Sequence, residues 1–171
     1  MNYFFLMLFL SLPGKEPSDI GISYRMLSWS DFRGLVPENE PMIGARTTTE
    51  IDLTTDEDDG RFKYHVKAYF LPYYSFVRVR SEENLRHEQT HFRIACMEAR
   101  ECQEALRPFQ GGNAATDESA KRVYENYVRW SADLNATFDQ ETNHGLIPEI
   151  EKIWEEKIAQ QLKFILNGRS K

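Results

Sequence analysis

The spacing of apolar residues along this chain changes period once, and that change limits what it can fold into. In "RFKYHVKAYF", residues 61–70, Phe62, Tyr64, Val66, Ala68 and Phe70 alternate with Lys63, His65 and Lys67, the period of a half-buried strand. From Glu82 onward the period is that of a helix. Strands first and helices after predict an α+β fold, a small N-terminal β-sheet packed on one helix and followed by two more. Residues 22–56 are expected to be rich in strands and turns, with "GARTTTEIDLTT" a β-branched strand, "DEDDG" a solvated turn and "SFVRVR" a further strand. His65 falls on the polar side of its strand and reads as a surface residue.

Winding the segment after Glu82 at about 100° per residue puts Leu85, Glu88, Phe92, Ala95, Ala99 and Leu106 on one face. His87 and His91 lie on its shoulder, and Gln89, Thr90, Arg93, Arg100 and Glu104 take the opposite arc. Pro108 and a glycine pair end this helix, and Thr116 or Asp117 is the expected N-cap of the next. That second helix carries an inward stripe of Ala120, Val123, Tyr127, Trp130, Leu134 and Phe138, continuing to Glu141, and Gly145 is its natural stop. Pro148 opens a third, with Ile150, Ile153, Trp154, Ile158, Leu162 and Ile165 as its core face. Cys96 and Cys102 are six apart on one helix, roughly 9 Å along its axis, beyond disulfide reach; they read as small core residues.

The chemistry sits in "LRHEQTHF", residues 85–92. A carboxylate on an otherwise apolar stripe is costly unless something compensates it. In HExxH on a helix, the two histidines project from one face and meet one ion, with Zn2+ the expected occupant. His87 and His91 are therefore the expected metal ligands. Glu88 is the expected general base, taking a proton from a zinc-bound water whose pKa falls to about 7. A catalytic zinc needs a third protein ligand and one vacant position. His144 in "FDQETNHG" is the first choice; Asp139, facing out on a regular helix, and Glu141, facing in, are the rivals. Glu98, about 10 Å along the axis from His91, is too far to bind the same ion.

The combination of "LSWSDFRG", "HEQTHFRIA" and "FDQETNHG", followed by a helix bearing Trp154, resembles a functionally uncharacterised bacterial family of predicted secreted zinc-dependent proteases of the zincin type. The resemblance spans roughly residues 26–165, a typical domain length. It implies a zincin-like fold, with His87, His91 and His144 as zinc ligands and Glu88 as catalytic base. Similar sequences often carry tyrosine in place of Phe138 and glutamine in place of Glu151.

Composition narrows the partners. A formal net charge of −6 with no basic block argues against nucleic acid and against an anionic membrane surface. The apolar run "NYFFLMLFLSL" has the length of a signal-peptide core rather than of a bilayer span. Residues 1–14 are therefore expected to be a signal peptide or, failing that, an apolar N-terminal segment, and residues 15–171 a single zincin-like metallopeptidase domain. The protein is expected to be secreted or periplasmic, without stable membrane insertion once the signal is cleaved. The expected function is hydrolysis of peptide bonds in a peptide or protein substrate. The alternatives are a non-catalytic zinc-binding protein of the cell envelope and a zinc hydrolase of a non-peptide amide bond.

Overall fold

The computed structural model describes residues 25–167; the apolar run at residues 1–14 lies outside them. Ten-residue strands β2 (Thr49–Asp58) and β3 (Arg61–Phe70) form an antiparallel hairpin, and the two-residue strands β1 (Ala45–Arg46) and β4 (Phe76–Val77) pair antiparallel beside it. Three helices follow: α1 (Glu82–Ala105), α2 (Ala114–Thr142) and α3 (Pro148–Asn167). The fold is α+β, a small antiparallel sheet and three helices, with α1 in contact with the sheet and with both other helices. No helix among the described residues is long and apolar enough to cross a membrane.

The hairpin closes at Asp59 and Gly60, whose φ of 50° and 71° are the left-handed values that a tight two-residue turn requires. Strand β2 therefore runs through most of "DEDDG", and only its last two residues turn. The alternation in β3 holds: Tyr64, Val66, Ala68 and Phe70 are buried, whereas Lys63, His65 and Lys67 are exposed. Its free edge is closed partly by side chains. Gln103 Oε1 accepts from Val66 N at 2.8 Å, Gln110 Oε1 accepts from Tyr64 N at 3.0 Å, and Gly112 O accepts from Phe62 N at 3.0 Å. Glutamines standing in for a neighbouring strand blunt an edge that would otherwise pair with another chain.

Helix α1 starts where Ser81 Oγ accepts from Asn84 N at 3.1 Å. It is wrapped by the sheet on one side and by α2 and α3 on the other, so it buries more than one stripe. Gln89 and Thr90, expected on its outer arc, are buried. For Gln89 the reason is the segment before β1, where no strand forms between residues 25 and 44. The chain there makes a short 3-10 turn at Trp29–Asp31 and lies over α1. Leu27 N donates to Gln89 Oε1 at 2.6 Å, and Phe32 packs on Phe70 with ring centroids 5.0 Å apart. "SFVRVR" likewise yields only the two residues of β4.

Helix α2 begins earlier than expected, because Asn113 supplies the cap: its side chain accepts from Ala115 N and Thr116 N at 3.1 and 3.4 Å. Its buried residues are Ala120, Ser131, Phe138 and Thr142; Trp130 is 53% exposed and Glu141 is exposed, against expectation. On α3, Trp154, Ile158 and Leu162 are buried as expected, Ile153 is 45% exposed, and Glu151 takes an inward place. The side chain of Ile165 lies outside the described residues. Cys96 and Cys102 are buried and unpaired, and burial pushes both thiols up to about 12, so they behave as core residues.

Candidate metal centre

His87 and His91, one turn apart on α1, turn their Nε2 atoms toward each other at 3.2 Å. Asp139 of α2 completes a triangle, its Oδ1 at 3.0 Å from each nitrogen. Among the described residues these three form the cluster whose possible ligand atoms all lie within 4.8 Å of one another. Donor atoms of a tetrahedral zinc site with bonds near 2.0 Å stand about 3.3 Å apart, so the triangle has the dimensions of one face of such a site.

The outer faces of both rings are tied down. His87 Nδ1 meets Glu151 Oε2 at 3.1 Å, and His91 Nδ1 meets Asn135 Oδ1 at 2.7 Å. Asn135 Nδ2 donates to Ser131 O at 2.7 Å, which fixes the amide so that its oxygen faces the imidazole. In the tautomer protonated on Nδ1, which the outer acceptors favour, two Nε2 lone pairs converge beside a carboxylate. That arrangement is repulsive unless a cation sits between them. Without a metal, protons take that part. Burial by itself would lower His87, but the hydrogen bonds with Asp139 and Glu151 outweigh it and bring the ring up to about 9. His91 is raised in the same way, burial again opposing and Asp139 prevailing. Burial works against ionising Asp139 too, yet the two imidazoles hold its carboxyl well below the usual carboxylate range.

The walls are aromatic. Phe138 lies beneath His87, nearly parallel with centroids 4.7 Å apart, and meets His91 edge-on at 5.0 Å. Trp154 of α3 backs Phe138 at 5.5 Å. Glu88 is buried, and its Oε2 has no hydrogen-bond partner among the described residues; Glu151 Oε1 is in the same position. A buried carboxylate oxygen without a partner is costly.

The motif "DQETNHG" acquires a physical meaning position by position. Asp139 enters the triangle. Glu141, not in the cage, accepts from Trp154 Nε1 at 2.8 Å and fastens α3 to α2. Thr142 is fully buried and accepts from Gly145 N at 3.2 Å, pinning the turn. Asn143, His144 and Gly145 all have positive φ, 49°, 56° and 81°. A Cβ at Gly145 would stand 3.2 Å from His87 Cγ, so only glycine fits there on both counts. His144 is held at the rim: its side chain is 75% exposed, with Nδ1 at 3.6 Å from Asp139 Oδ1 and outside the three-residue cluster.

Asp139 faces inward because the stripe assumed for α2 is not the one this end of the helix uses. Near the site its inward positions are Ser131, Asn135, Phe138, Asp139 and Thr142, mostly polar, so apolar periodicity cannot mark them. The usable signal is Asn135 and Asp139 at i, i+4, the same spacing as His87 and His91. Tyr124, close to the inward stripe by periodicity, spends its hydroxyl on Ile51 O at 2.7 Å. His65, as expected, is remote, paired with Asp56 on the hairpin.

The fold and site together define an α+β protein with a two-histidine, one-carboxylate cage fit for a metal ion. Residues 44–145 match the family described as "Bacterial protein of unknown function (DUF922)", and the chain belongs to that family. The match runs from β1 to Gly145 and includes the whole cage, stopping short of Glu151. No curated protein and no solved structure matches the chain.

Proposed function

We propose that this chain is an exported zinc metallopeptidase of the zincin type, with His87, His91 and Asp139 holding the metal and Glu88 as general base. The observation that carries this reading is the convergence of two imidazoles, each with an acceptor at its outer nitrogen, on one carboxylate, with a buried, unpartnered glutamate oxygen on the residue after His87. Two imidazoles and a carboxylate, with one side left open, are a known ligand set of catalytic zinc. Bound there, zinc would acidify a water and polarise the substrate carbonyl. Glu88 takes the proton of the attacking water and returns it to the departing amine. Asn135 and Glu151 keep both rings aimed, and Phe138 keeps that side of the cage dry. The apolar run at the N-terminus supports export.

The test is zinc content alongside peptide hydrolysis. We expect stoichiometric zinc in the wild type, and in Glu88→Gln the same zinc with turnover lower by roughly 100-fold or more. Zinc bound by a wild type that cleaves nothing in broad peptide libraries would contradict the reading. A second reading, a closed structural zinc site, is favoured by one observation, the approach of His144 to Asp139. X-ray absorption separates them: three protein ligands and a light oxygen for the enzyme, three imidazoles and one carboxylate for the closed site.

A further inference from the structure

A second cleft of about 340 Å³ lies between α1 and α2, lined by Glu98 and Glu101 from the first and Tyr127, Trp130 and Asp133 among others from the second. No lysine or arginine lines it. Glu98 is only 7% exposed, and its carboxylate has neither a hydrogen bond nor an ion pair among the described residues. Burial, with Glu101 close by, pushes that carboxyl up to about 7. Opposite, Tyr127 and Trp130 meet edge-on with centroids 5.0 Å apart, and Trp130 keeps 53% of its surface exposed. A carboxylate without a hydrogen-bond partner among the described residues, opening into the cleft from a largely buried residue, and an exposed indole suit an organic cation.

The cleft lies further along α1 from the metal centre. Glu98 follows His91 by seven residues, nearly two full turns, so both project from the same side of α1 about 10 Å apart along its axis. An extended peptide advances about 3.3 Å per residue, so that distance corresponds to about three residues. We propose that this cleft seats the ammonium or guanidinium group of a lysine or arginine side chain of the substrate, within about three residues of the bond cleaved. Glu98 and Glu101 form its anionic wall and Trp130 its aromatic one. The proposal rests on the peptidase reading for the word substrate, but its binding chemistry does not.

Calorimetry on the zinc-loaded, full-length Glu88→Gln protein tests it without hydrolysis. The probes are capped alanine hexapeptides carrying one arginine at each position in turn, and the same peptides with the uncharged isostere citrulline. The arginine peptides are expected to bind about tenfold tighter at their best position, and adding Glu98→Gln is expected to erase that difference with zinc content kept and the thermal midpoint no lower. Equal affinity for arginine and citrulline, or a preference that survives both Glu98→Gln and Trp130→Ala, overturns the proposal. Free argininamide or spermidine binding as tightly as the peptide also overturns it, by assigning the cleft to small cations. Wild-type cleavage of peptides with no basic preference sinks this proposal and leaves the peptidase standing. Arginine-selective binding that Glu98→Gln abolishes, without any wild-type cleavage, does the reverse.

Discussion

Helix α1 has two buried sides, and they are built on opposite terms. Toward the sheet it presents Phe92, fully buried and 6.0 Å from Phe70 between centroids, in a core shared with Ala95, Cys96, Ala99 and Cys102. Toward α2 and α3 it presents His87, His91 and Glu98, with Glu88 buried next to them on the arc of Phe92 and Ala95. The first side lowers free energy by removing apolar surface from water; the second gives up part of that gain to hold charge where water is scarce. One helix thus carries both the core that packs on the sheet and two of the three residues of the candidate metal cluster.

If that division is right, mutations on the two sides should fail differently. Phe92→Ala should cost about 3–5 kcal/mol in urea unfolding, enough to threaten folding whether or not metal is present. Asn135→Ala should leave the fold intact and weaken zinc binding by roughly 10–100-fold in competition with a chelator, because His91 loses the acceptor that aims it. A drop in stability as large as that of Phe92→Ala would show that the polar side is structural.

Glu98→Gln sharpens the contrast by acting in the opposite direction. The carboxyl of Glu98 ionises near 7 when folded and at its ordinary value of 4.5 when unfolded, so the unfolded chain gives up its proton first. Stability from this group is therefore full below 4.5 and lost as pH rises toward 7. Replacing it should stabilise the protein by roughly 1–3 kcal/mol at pH 8 and by little at pH 5, read from urea midpoints. The smallest effect is expected on the hairpin, where His65→Ala should change stability by about 0.5 kcal/mol or less and leave zinc content unchanged.

The same division explains what could be read from the sequence. Strand β3, helix α1 and the start of α3 were legible because apolar residues report their own burial by spacing. The pairing of His87 and His91 was legible because imidazoles at i, i+4 on a helix project from one face. Asp139 was not: its side of α2 is inward yet polar, and periodicity reads polarity as exposure. Gln89 was hidden for the complementary reason, since Leu27, before β1, donates to its side chain and nothing in α1 announces that cover. Trp130 and Ile153 err the other way, as large apolar residues left facing solvent.

Zinc content of three purified variants decides the central point, which side chain joins His87 and His91. With His91→Ala as the empty control, Asp139→Ala is predicted to lose nearly all of its metal after dialysis against a weak chelator, and His144→Ala to keep most of it. A full complement of zinc in Asp139→Ala, with none in His144→Ala, would contradict the cage described here.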